Sequence, residues 1–91
     1  MKSIIQDNKK CFICGTTQNL ELHHIIYGVG RRELADKDGL TVWLCHEHHT
    51  GNTGVHFNKE LDRMLKEIAQ THFEKTHSRE EFTKRYGRSY K

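Results

Sequence analysis

The segment from Leu40 to His49 has the sequence LTVWLCHEHH, and it decides the expected fold. Its first half is rich in β-branched and aromatic residues, which is typical of a strand. Its second half begins at Cys45 and continues to His48 and His49, and all three side chains bind metal ions well. We therefore expect a strand that ends directly at a metal-binding hook.

A second hook of the same spacing, Cys11-x2-Cys14, lies upstream. A gap of two residues lets both side chains reach one tetrahedral ion, and a Cys3His donor set favours zinc. Of the histidines that follow Cys45, His48 matches the spacing of the hook. The alternative is a buried cysteine pair with one free thiol. The hooks predict a structural zinc knuckle formed by Cys11, Cys14, Cys45 and His48.

The chain between the hooks predicts a second strand over residues 20–26, where apolar side chains alternate with polar ones, and a loop over residues 27–39. After the second hook, apolar residues recur every three or four positions, which predicts an amphipathic helix from Phe57 to about Phe73. The expected fold class is α+β, with two strands followed by a helix.

The C-terminal segment carries the signals of one more helix. Ser78 and Glu81 fit a capping box, and Gly87 follows Tyr86 at the expected end. We divide the chain into a polar lead-in (1–10), a central domain (11–75) and a basic helical tail (76–91).

The composition of the chain argues against a membrane protein. The chain has 34% hydrophobic and 30% charged residues, and none of its apolar runs approaches the ~20 residues of a spanning helix. Its start lacks an apolar stretch of signal-peptide length, so we expect a cytoplasmic protein with reduced cysteines. The net charge is +3, and the excess lies in residues 76–91, which suggests a polyanionic partner.

Four further histidines form a second set: His23, His24, His49 and His56. Neighbouring side chains on a strand point to opposite faces, so His23 and His24 suit two different tasks. One imidazole can bind a metal ion while the other approaches a substrate. The alternative is that these are ordinary surface histidines without a ligand.

The hooks, the run LELHHI over residues 20–25 and the run LCHEHH over residues 44–49 together resemble the HNH endonucleases. The resemblance covers about residues 9–70 and implies a ββα-metal (His-Me finger) fold braced by a zinc knuckle. It also implies hydrolysis of DNA phosphodiester bonds, with products that carry 5′-phosphate and 3′-hydroxyl ends. The tail is similar to small phage and prophage members of the family.

The resemblance assigns roles to individual histidines. His23 and His49 match metal ligands, and His24 matches the general base. The last ligand of the catalytic ion falls at His56 or Asn52, and we prefer His56 because imidazole suits transition metals. The ion itself is Mg²⁺, Mn²⁺, Ni²⁺ or Zn²⁺.

One position departs from the family pattern. Leu40 stands where the family has an asparagine that orients the base. Candidates to replace that asparagine are Asp38, Thr41 and Asn52.

The expected partner is DNA, with no membrane, and Arg31, Arg32 and Lys37 are candidates to contact its phosphates. A homodimer or a larger phage or recombination protein is a further possible partner. The rival hypothesis is a catalytically silent zinc module that binds DNA or serves as an adaptor.

Overall fold

A computed structural model describes residues 3–51 and 54–91. Within these ranges the chain forms a two-stranded antiparallel sheet, four α-helices and one short 3₁₀ helix. In chain order the elements are β1 (Leu20–His24), α1 (Arg31–Asp38), β2 (Thr41–Cys45), α2 (His46–His49), the 3₁₀ helix (Val55–Phe57), α3 (Lys59–Phe73) and α4 (Arg79–Tyr86).

The two strands pair along their whole length, from Leu20 opposite Cys45 to His24 opposite Thr41. The register places the start of β1 beside the metal-binding hook that ends β2. His23 lies opposite Val42, and both side chains are buried. Because successive side chains of a strand alternate, Glu21 and His23 share one face of the sheet, whereas Leu22 and His24 lie on the other face. Both predicted strands exist, and each begins or ends within two residues of its predicted bounds.

The segment between the strands contains the helix α1, so the prediction of a loop over residues 27–39 is wrong. The helix is polar and buries Ala35 alone, so no apolar period marks it in the sequence. Its ends are set by Gly30 and Gly39, which adopt left-handed conformations at φ 77° and 73°. These conformations cost glycine little, and they bound a helix of eight residues.

The main helix begins two residues later than predicted. Asn58 caps it by accepting a hydrogen bond from the backbone N–H of Leu61 at 3.0 Å. Phe57 belongs to the 3₁₀ helix and is 69% exposed, so it is not part of the apolar face. That face is formed by Leu65, Ala69 and Phe73, all of which are buried.

The prediction of a C-terminal helix is confirmed, including its capping box and its end at Gly87. Phe82 and Tyr86 are fully buried, and their rings pack against Phe73 at centroid distances of 5.4 and 6.2 Å. The tail thus joins the same core as the central segment. These two rings are unavailable for stacking on nucleic-acid bases.

The N-terminal lead-in lies along β2. The backbone N–H of Ile4 donates to Gly39, and Gln6 accepts from the backbone N–H of Trp43 at 2.8 Å. Across residues 3–51 and 54–91, none of the helices has the length and apolar character needed to cross a membrane.

Candidate metal and catalytic site

The two predicted hooks meet beside the end of β2. One potential ligand atom from each of Cys11, Cys14, Cys45 and His48 lies within 4.8 Å of the others. The Sγ atoms of Cys14 and Cys45 are 3.8 Å apart, and His48 Nδ1 is 3.2 Å from Cys45 Sγ. These four residues are close enough to bind one metal ion. A donor set of three thiolates and one imidazole fits tetrahedral zinc.

The polypeptide around Cys11 favours the thiolate form that binds metal. Burial raises the pKa of this thiol. Hydrogen bonds from the backbone N–H groups of Cys14, Cys45 and Ile13 outweigh that effect and lower the pKa to about 6. The thiolate is the form of cysteine that ligates a metal ion. The site is therefore prepared for a cation by main-chain donors as well as by its ligands.

The second predicted histidine set also converges. One ring nitrogen from each of His23, His49 and His56 lies within 4.8 Å of the others. The ring centroids are 5.1 Å apart for His23 and His49, 5.9 Å for His23 and His56, and 5.0 Å for His49 and His56. We call these three residues the tri-histidine cluster.

His23 gives the clearest indication that the cluster is built for a ligand. The residue is 2% exposed, and among the described residues its Nε2 atom has no hydrogen-bond partner. Burial and the neighbouring histidines lower its pKa to about 3, so the ring is neutral at physiological pH. A neutral imidazole with a free buried nitrogen is a good metal ligand. The residues present therefore fit a divalent ion.

The cluster opens into a pocket of about 280 Å³. The residues that line it include the cluster, the predicted base and one predicted DNA contact: Leu22, His23, His24, Tyr27, Arg32, His49 and His56. A substrate in this pocket can reach the metal ligands and His24 together.

Asp36 on α1 contacts the predicted base. Its Oδ1 atom is 3.1 Å from His24 Nε2, and this hydrogen bond lowers the pKa of the carboxyl group. Because a carboxylate only accepts hydrogen bonds, Nε2 carries the proton, and Nδ1 keeps its lone pair. Asp36 was not among the predicted site residues, because residues 27–39 were expected to form a loop and α1 forms there instead.

The candidates proposed to replace the family's asparagine have other positions. Asp38 accepts hydrogen bonds from Arg85 and Tyr86 in α4. Thr41 is buried opposite His24 in the sheet, and Leu40 is buried in the core. Asn52, the alternative metal ligand, lies outside the described residues. Of the residues that the structure describes, Asp36 is the one that contacts the His24 ring through a carboxylate.

Glu21 is a second residue that sequence analysis missed. It lies on β1 two positions before His23, so both side chains are on the same face. Its Oε1 atom accepts from His49 Nδ1 at 2.7 Å, and its Oε2 atom accepts from His46 Nδ1 at 3.1 Å. The sequence of β1 did carry a signal for Glu21, because side chains two positions apart on a strand point to the same face.

The three predicted DNA contacts divide into two groups. Arg32 lines the tri-histidine pocket, and Arg32 and Lys37 line a neighbouring depression with His24. Arg31 instead packs against Gly87, where an added Cβ atom would lie 2.6 Å from its Nη2 atom. The structure therefore brings Arg32 and Lys37, but not Arg31, beside the candidate site.

Comparison of the chain with protein-family models, with curated proteins and with solved structures found no match.

Proposed function

We propose that this protein is a metal-dependent endonuclease of the HNH type that hydrolyses DNA phosphodiester bonds. The observation that carries the proposal is the single pocket that joins the tri-histidine cluster to His24. A structural zinc knuckle does not require a second group of histidines whose ring nitrogens lie close together. The separate pocket favours an enzyme over a silent zinc module.

His24 is the proposed general base. Its Nε2 proton is held by Asp36, which leaves the Nδ1 lone pair to accept a proton from an attacking water molecule. The hydrogen bond also fixes the orientation of the ring. A positioned base of this kind contributes about 10²–10⁴-fold to the rate.

His23, His49 and His56 are the residues that would hold the catalytic ion. When bound, a divalent ion supplies charge stabilisation to the pentavalent phosphorus and to the leaving 3′ oxygen. The protein contributes three ring-nitrogen ligands, one of which, His23, is buried in the core.

Arg32 and Lys37 are the proposed phosphate contacts. Both side chains are exposed and share surface depressions with His24. Their charge attracts a DNA backbone without regard to base sequence, which places the scissile phosphate near the base.

The test is cleavage of supercoiled plasmid by the zinc-loaded protein with added Mg²⁺, Mn²⁺ or Ni²⁺. We expect nicked or linear product from the wild type and a decrease of about 10²–10⁴-fold for His24→Ala. The matched control is His77→Ala, which removes an exposed histidine between α3 and α4. It should cleave like the wild type. Circular dichroism and zinc content should be the same for all three proteins.

Two outcomes would overturn parts of this proposal. Equal cleavage by the wild type and His24→Ala would remove the assignment of the base. Absence of cleavage by the wild type with every ion, together with intact zinc and DNA binding, would instead favour the silent zinc module. The buried Leu40, at the position of the family's asparagine, is the observation on which that rival rests.

A further inference from the structure

Glu21 is the second residue of β1, and its side chain connects this strand to α2. Both of its carboxylate oxygens accept hydrogen bonds from histidines of that helix, one from His49 and one from His46. The two contacts have lengths of 2.7 and 3.1 Å. The carboxylate therefore fixes two rings of one helical turn.

The contact with His49 determines which nitrogen of that ring can bind a metal ion. A carboxylate only accepts hydrogen bonds, so Glu21 accepts from both rings. His49 Nδ1 must then carry the proton, and Nε2 keeps the lone pair. A metal ligand needs this combination of a fixed tautomer and a fixed ring plane.

The helix α2 cannot supply that orientation on its own. It contains four residues, which is one turn, and an isolated turn has little stability in water. His23 is held by the core, whereas His49 is only partly buried and follows a zinc ligand in sequence. An external partner is needed to set the torsion angles of the His49 side chain.

We propose that Glu21 is the positioning residue of the tri-histidine cluster: its carboxylate sets the tautomer and ring orientation of His49 for a divalent transition-metal ion. The inference rests on the metal centre of the proposed function. It does not depend on DNA cleavage.

The test measures binding of Ni²⁺ alone to zinc-loaded protein by isothermal titration calorimetry. We expect the wild type to bind one Ni²⁺ ion per chain and His23→Ala to lose that binding. Loss of an outer carboxylate partner typically weakens metal affinity by about 10–100-fold, and we expect this for Glu21→Ala. Glu21→Gln keeps an acceptor oxygen and should recover most of the affinity. The matched control is Glu80→Gln, an exposed glutamate of α4 that should bind like the wild type.

A second readout separates positioning from a general loss of structure. Long-range ¹H–¹⁵N correlation spectra of the Ni²⁺-free, zinc-loaded protein report the tautomer of each histidine. The wild type should show His49 protonated at Nδ1, and Glu21→Ala should show a mixture of both tautomers while the zinc content stays constant.

The inference is wrong if folded Glu21→Ala binds Ni²⁺ within twofold of the wild type, or if wild-type His49 is protonated at Nε2. It is also wrong if His23→Ala binds Ni²⁺ normally, because the ion would then lie elsewhere. A wild type that binds Ni²⁺ as expected but cleaves no DNA would contradict the proposed function and leave this inference intact.

Discussion

The hydrogen bond between Asp36 and His24 is the residue-level feature on which the proposed chemistry depends. A histidine that serves as a base needs one nitrogen fixed and the other open to the substrate. His24 meets this condition through a carboxylate on α1, and its ring borders the tri-histidine pocket. In the proposed mechanism, this carboxylate has the orienting role that the resemblance to the HNH endonucleases gives to an asparagine.

We predict that Asp36→Asn lowers kcat and leaves KM for DNA nearly unchanged. The amide can still contact His24, but it does not stabilise the imidazolium that forms when the base accepts a proton. The decrease should lie within the ~10²–10⁴-fold that a positioned base contributes. Steady-state cleavage of a labelled oligonucleotide measures both constants.

Asp7→Asn, a change in the exposed lead-in, is the control for removal of one negative charge. An Asp36→Asn variant with wild-type kcat would show that His24 does not need the carboxylate.

Individual site residues could be predicted from the sequence where a local pattern of residues marked them. His23, His24, His49 and His56 could be named as candidates because clustered histidines and paired hooks are visible in the sequence, and the structure places all four around one pocket. Asp36 was missed because the polar helix α1 has no apolar period, and Glu21 was missed although the alternation of β1 places it on the face of His23. Their roles come from contacts with rings 12 and 28 residues away in sequence.

At the scale of elements, α2 is shared by both candidate metal sites. His48 faces the cysteine hooks, and the next residue, His49, belongs to the tri-histidine cluster. A single helical turn is stable only through its contacts, and the zinc ligands are among the strongest of these. On the proposed function, zinc bound at the hooks therefore also holds the turn that carries His49.

We predict that loss of the zinc site also abolishes binding of the second ion, whereas loss of the second site leaves zinc bound. Cys14→Ser should lose zinc and also lose Mn²⁺ binding at the tri-histidine cluster, with a lower melting temperature. His49→Ala should lose Mn²⁺ and keep zinc, because the cysteine hooks do not depend on its ring. Native mass spectrometry counts the ions on each variant. A zinc-free Cys14→Ser chain that still binds Mn²⁺ at the histidines would refute the shared role of α2.

The helix α4 supports the core from the other side. Phe82 is fully buried against Phe73, so truncation leaves a cavity that its neighbours cannot fill. We predict that Phe82→Ala in the zinc-loaded protein lowers the free energy of unfolding by about 3–5 kcal/mol. Urea denaturation followed by circular dichroism measures the change.

Thr83→Ala, an exposed position on the same helix, is the control and should change the free energy of unfolding by less than about 0.5 kcal/mol. An equally small effect of Phe82→Ala would mean that α4 does not belong to the core.

Local sequence signals predicted some elements well and others not at all. The capping box of Ser78 and Glu81 and the terminal Gly87 placed α4 correctly, because these residues act within one turn. The helix α1 was not predicted because Ala35 is its one buried residue, so its sequence has no apolar period. The exposed Phe57 was assigned to α3 because periodicity does not distinguish a helix from the 3₁₀ turn that precedes it.

At the scale of the whole molecule, three segments of the chain pack around one core. Cys11 near the start, Val42 in the sheet and Tyr86 in the tail all belong to it. The core of a chain of 91 residues is small, and domains of this size often use a metal ion for additional stability. A metal ion bound by Cys11, Cys14, Cys45 and His48 fits that need, and the tri-histidine cluster is a separate group of potential ligands.

We propose that one scaffold holds two cations with different tasks. The most direct test of this proposal is anomalous diffraction from crystals of the zinc-loaded protein soaked in Mn²⁺. We expect a zinc peak among Cys11, Cys14, Cys45 and His48, and a manganese peak among His23, His49 and His56. A zinc peak with no manganese among the three histidines at saturating Mn²⁺ would contradict the proposal.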